Sequence, residues 1–160
     1  MDSTNALRTQ LQRILDWQDA HVGFEKATEG LAAKLRGVRV NGFPHSAWEL
    51  VEHMRLTQRD ILDFSRDPGY TEPNWPDDYW PPSPEPPSPS AWDESIAAFR
   101  EDRETLQALA ADESIDLFAN IPHGHGQTYI REILVVADHT AYHIGQLVVV
   151  RRQLGAWGEA

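Results

Sequence analysis

A chain of 160 residues, 41% apolar and 24% charged, is long enough for one hydrophobic core and has the composition of an ordinary globular domain. Its formal net charge of −11 leaves no basic footprint for nucleic acid or an anionic membrane surface. There is no cysteine, which removes disulfides, thiolate metal ligands and a cysteine nucleophile together.

The first residues are neither basic nor apolar, and the longest apolar run, near Leu147–Val150, is too short to span a bilayer. Cytoplasmic is the expectation by elimination.

A first helix is predicted from about Thr4 to Lys34. Leu7, Leu11, Ile14, Leu15, Phe24 and Leu31 recur along it at three- and four-residue steps for much of its length. Gly23 and Gly30 weaken it, and Gly37 marks its end. A turn-rich connector over 38–44 follows.

The second helix begins at Ser46, where Ser46-Ala47-Trp48-Glu49 has the form of a capping box. Leu50, Val51, Met54, Ile61 and Leu62 form its apolar stripe, and it should stop near Arg66. Residues 67–89 then hold nine of the eleven prolines, which rules out helix. Tyr70, Trp75, Tyr79 and Trp80 are interspersed, so this loop is expected to be pinned to the body by aromatic anchors.

A third helix is predicted over about Ala91–Ala111, with Ser90 as its cap. Leu117-Phe118-Ala119 reads as a very short strand or a buried turn. The fourth helix spans about Thr128–Leu154, and Gly155 ends it. The fold class is therefore all-α: one domain over 1–160, a four-helix bundle with a long proline-rich crossover between helices two and three. Such a crossover lets those two helices run parallel.

His139 and His143 lie one turn apart inside the most apolar helix, so both imidazoles share a face. Glu132 and Gln146 fall on the same polar stripe. On helix two, His53 borders the buried stripe, in line with Glu49, Thr57 and Asp60. Buried imidazoles can be core histidines satisfied by backbone groups. Three of them from two facing helices are better explained by a divalent metal, zinc or nickel first, with at least one coordination position open.

Gln146, Glu132 and Glu49 are candidates for orienting a ligand or the rings. His125, flanked by Gly124 and Gly126, is a candidate substrate-facing residue, although such loop histidines are more often simply exposed. Protonation of ordinary imidazoles would strip the ion below about pH 6.

The segment Asp138-His139-Thr140-Ala141-Tyr142-His143-Ile144-Gly145-Gln146-Leu147 closely resembles the C-terminal signature of the DinB-like family. Phe43–His53 resembles that family's second-helix segment, and the similarity covers nearly the whole chain. The resemblance implies a four-helix bundle with a long crossover and a divalent metal on three histidines, here His53, His139 and His143 by motif. It also implies frequent homodimers. Members include thiol-dependent transferases and isomerases, and YfiT-like metal-dependent hydrolases.

The expected activity is therefore transfer: the ion activates a low-molecular-weight thiol for attack on a small-molecule electrophile. Hydrolysis by bound water and a non-catalytic metal- or ligand-binding module are the alternatives.

Overall fold

The computed structural model describes residues 3–158, and within them the chain is helical with no strand beyond one isolated bridge between Asn120 and Thr128. The helices are α1 (Ser3–Ile14), α2 (Phe24–Thr28), α3 (Ala33–Arg36), α4 (Ala47–Arg66), α5 (Ala91–Ala111) and α6 (Tyr129–Gln153). A single 3-10 turn, Asp77–Tyr79, interrupts the proline-rich loop.

The first helix is not continuous over 4–34, as its apolar steps suggest. It stops at Ile14 and resumes only as the short α2 and α3. Between Leu15 and Phe24 the apolar rhythm lapses, Gly23 becomes the N-cap of α2, and Gly30 takes φ +69°. Packing gives the reason. Leu11 and Leu15 enter one core cluster with Ile61, Leu62 and Leu106, whereas Phe24, Ala27 and Leu31 enter a second with Trp48, Met54 and Phe99. A straight helix of that length would reach about 45 Å, longer than the roughly 30 Å of α4. Breaking it lets one segment bury apolar residues in both clusters.

The capping box at Ser46 forms as the sequence implies: the Glu49 N–H donates to Ser46 Oγ at 3.2 Å, and the Ser46 N–H donates to Glu49 Oε2 at 2.8 Å. At α5 the cap differs from expectation. Ser90 makes no capping bond, and Ser88 Oγ instead accepts from the Ala91 N–H at 3.1 Å. Thr128 caps α6, and Gly155 at φ +66° follows its end. Residues 117–119 form a turn with Leu117 buried and Phe118 64% exposed.

Four long helices, α1, α4, α5 and α6, supply most of the packing, with α4 against both α5 and α6 and α1 against α5. Gln58 Nε2 donates to the Phe99 carbonyl at 2.7 Å, and Arg59 pairs with Asp102 at 2.8 Å, tying α4 to α5. Taken as a whole helix, α6 is long and apolar enough to cross a membrane by length and composition, which no short run within it suggests. Here it is a core helix: Ile133, Val136, Ile144, Leu147 and Val150 are buried among the other elements.

The proline-rich loop runs back along α4. Tyr70 and Tyr79 donate their hydroxyls to Asp60, and near the other end of the loop the Pro84 carbonyl accepts from Ser46 Oγ at 2.6 Å. Gly37 is needed beside it, because a Cβ there would lie 2.9 Å from the Cα of Glu85. Tyr70, Tyr79 and Trp80 hold the loop as anchors. Trp75 does not, being 69% exposed.

Ser46→Ala removes both the capping acceptor and the tie to Pro84 from a fully buried position. We expect a loss of about 1–2 kcal/mol in urea denaturation. An unchanged midpoint would contradict this account of how α4 starts.

Candidate metal centre

The α4 stripe places His53 two turns into its helix, and α6 places His139 and His143 one turn apart opposite it. His53 is 2% exposed and His143 is 6% exposed. One ring nitrogen from each of the three can be chosen so that all lie within 4.8 Å of one another.

The closest approach is His53 Nε2 to His139 Nε2, at 3.1 Å. The three rings meet edge to face, with centroids 4.4–4.9 Å apart.

Hydrogen bonds at the far side of two rings fix which nitrogen faces inward. His53 Nδ1–H donates to the Tyr79 backbone carbonyl at 2.7 Å, leaving Nε2 with its lone pair. His143 Nδ1–H donates to Gln146 Oε1 at 2.7 Å, leaving its Nε2 likewise. Trp80 lies flat on His53 at 3.7 Å and 3°, and His45 stacks on the same indole at 4.0 Å.

This donor set fits a divalent ion. Zn–N bonds of about 2.0–2.1 Å at tetrahedral angles separate two nitrogens by about 3.4 Å. The observed 3.1 Å needs an opening of only a few tenths. Outer carbonyl and amide partners on the ligand rings are the usual accompaniment of metal histidines.

Burial keeps the rings neutral. It pushes His53 down to about 4, against the Tyr79 bond, which raises it. It pushes His139 down to about 3, helped by the two neighbouring imidazoles. His143 is lowered by burial as well, against its bond to Gln146.

A family model described as the DinB superfamily matches residues 14–147. The chain belongs to the DinB superfamily. No curated protein and no solved structure matches it. The superfamily match spans all three histidines, in agreement with the signatures around Asp138–Leu147 and Phe43–His53.

The remaining sequence candidates divide. Gln146 contacts His143. Glu49 does not face the rings: it completes the Ser46 capping box and accepts from Arg39 Nε at 2.9 Å. Burial raises its pKa, but Arg39 and Ser46 outweigh that and hold it below the usual carboxylate range.

Glu132 is buried but pairs with its neighbour Arg131, with no bond to a histidine among the described residues. His125 is exposed, and its backbone N–H donates to Gln127 Oε1 at 2.6 Å. His123, its partner in the His-Gly-His run, donates Nε2–H to the Phe64 carbonyl at 2.6 Å.

The sequence reading missed the Tyr79 carbonyl, because a backbone acceptor leaves no mark on residue type. It also missed the contact of Trp80 and His45 with the site, although the aromatic content of the loop marked it as anchored.

The folded values of about 4 and about 3 lie below the ~6.5 of a free imidazole. Between those limits the unfolded chain binds more protons, so this stability is complete above about pH 6.5 and is lost as pH falls. Metal-free protein should therefore lose roughly 2–3 kcal/mol for each of the two rings between pH 6.5 and 4, with His139→Gln flattening that slope. Thermal melts across this range check it, and equal slopes in the two proteins would count against buried neutral rings. The boundary for proton-driven loss of a bound ion moves down from pH 6 in the same sense.

Proposed function

We propose that this protein is a divalent-metal-dependent transferase that activates a small-molecule thiol for attack on an electrophile. The observation that carries the reading is the convergence of the three histidine nitrogens, with His53, His139 and His143 as the ligands. Bound there, zinc or nickel would supply Lewis acidity, lowering the pKa of a thiol or water that it coordinates.

The chain's own residues do the rest. The apolar surroundings keep the rings unprotonated, while the Tyr79 carbonyl and Gln146 hold two of them in the tautomer that presents Nε2 inward. His139, the one of the three that is only partly buried, borders an open hollow lined by Ile130, Leu134, Val135 and Tyr142 together with Arg131 and Asp138. That hollow is where an apolar electrophile would approach.

Thiol transfer is favoured over hydrolysis because the cluster contains histidines only. No carboxylate shares the ligand set among the described residues, and Asp138, which lines the adjoining hollow, is the base that a water would have to use. A thiol, with its lower intrinsic pKa, needs the ion alone. The chain has no cysteine, so the thiol must arrive as a cosubstrate. Hydrolysis and passive metal binding remain the competing outcomes of the test.

The architecture we infer is a four-helix bundle in which the segment between α4 and α5 is the crossover. Its support is the course of that segment back along α4 and the pairing of Gln58 with Phe99. The setting we propose is a cytoplasmic homodimer, as the family resemblance suggests, acting on a small molecule; the acidic composition argues against nucleic acid and an anionic membrane.

Metal-loaded protein should consume a low-molecular-weight thiol together with an electrophile, saturably in both. His143→Ala should lower the rate at least 100-fold, in keeping with loss of a metal ligand. Turnover of esters or amides without added thiol would replace this reading with hydrolysis. Tight metal uptake with no turnover of either panel would make the protein a binding module.

A further inference from the structure

Asp60 stands seven residues beyond His53 on the same face of α4, about 10 Å away, too far to touch an ion held by the histidines. Among the described residues no cation pairs with its carboxylate. It accepts two phenol hydrogen bonds instead, one on each oxygen: Tyr70 Oη–H to Oδ1 at 2.7 Å and Tyr79 Oη–H to Oδ2 at 2.9 Å. Both tyrosines belong to the proline-rich loop. Tyr79 is also the residue whose carbonyl takes the His53 Nδ1 proton, and its neighbour Trp80 covers the same ring.

Besides the Ser46 bond to Pro84 near its far end, the loop is held by the edge contact of Tyr70 with Phe64 and by Trp80 packed on the core, and it makes few other polar bonds. Proline removes backbone donors, and the backbone–backbone bonds in this segment are local turns such as Tyr70 N–H to Asp67 O and Tyr79 N–H to Pro76 O. Apart from the end bonds Asp67 N–H to Asp63 O and Ala91 N–H to Ser88 O, none of these ties the loop to a helix. The hydrogen bonds to α4 at this level are the Asp60 clamp and the His53 bond itself, beside the ring contacts of Tyr70 with Phe64 and of Trp80 with His53. The two hydroxyls stay protonated as donors. Burial and then the Asp60 bond push Tyr79 up to about 12, and Tyr70 is raised by the same two causes.

We infer that Asp60 is a positioning residue for the metal centre: by clamping Tyr70 and Tyr79 it fixes the Tyr79 carbonyl and the Trp80 ring against His53, setting the orientation and basicity of that ligand. The proline-rich segment thereby becomes the outer shell of the site rather than a mere connection. This inference rests on the metal reading above.

Cobalt(II) tests it, because its absorption bands report ligand geometry. Affinity is measured by competition with a chromophoric chelator in wild type, Asp60→Ala, Asp60→Asn and Tyr79→Phe. Asp63→Ala serves as the control, since Asp63 is an exposed carboxylate on the same helix that pairs with Arg59. Asp60→Ala should weaken binding by about 10–100-fold and shift the cobalt bands. Asp60→Asn keeps one acceptor oxygen and should lose less, as should Tyr79→Phe, which removes a single hydroxyl and keeps the fold. Asp63→Ala should match wild type.

In metal-free protein, nitrogen NMR shifts of His53 should show the Nδ1–H tautomer in wild type and a mixture in Asp60→Ala. Wild-type affinity, bands and tautomer in both Asp60→Ala and Tyr79→Phe would overturn the clamp while leaving the metal reading intact. Wild-type protein that takes up no cobalt would overturn both.

Discussion

Three neutral imidazoles whose ring nitrogens lie within 4.8 Å of one another inside a protein crowd their lone pairs together, and a hydrogen bond between two of them satisfies only that pair. His53 Nε2 and His139 Nε2 are 3.1 Å apart, and the Nδ1 protons of His53 and His143 are already committed to Tyr79 and Gln146. One shared proton can relieve a single pair. Burial holds His53 and His139 far below the ordinary imidazole range, so further protons are unwelcome until the solution is strongly acidic. A divalent cation would satisfy all three rings together, and the core is arranged so that it could hold one.

The surrounding fold serves that constraint. α6 brings two histidines on one turn and α4 brings the third from the facing helix, so the angle between the rings is set by helix packing. The loop between α4 and α5 supplies what helices cannot: a free backbone carbonyl and a flat indole beside His53. His45 closes the stack on the other face of Trp80. A segment poor in backbone donors would be a weak support alone, and the tyrosine bonds to Asp60 and the Ser46 bond to Pro84 give it fixed points along α4.

Much of this could be read from residue types and spacing. The one-turn separation of His139 and His143 in an apolar helix, and the position of His53 beside the α4 stripe, depend only on helical periodicity, which sequence records directly. The capping box at Ser46 was legible for the same reason. The break after Ile14 was not, because Leu15, Phe24 and Leu31 continue the apolar series while packing into different clusters. Glu49 and Glu132 looked like partners for the rings because they share their helical lines. Local cations, Arg39 and Arg131, draw their carboxylates elsewhere. The Asp60 clamp joins residues distant in sequence through hydroxyl geometry, and no periodicity encodes it.

X-ray absorption at the metal edge of zinc-loaded protein tests the central claim most directly. One ion per chain with three imidazole nitrogens at about 2.0–2.1 Å, and one further ligand that is oxygen from solvent or, with thiol added, sulfur at about 2.3 Å, is the predicted result. An oxygen-only shell, or the same spectrum after His53, His139 and His143 are all replaced by alanine, would contradict it.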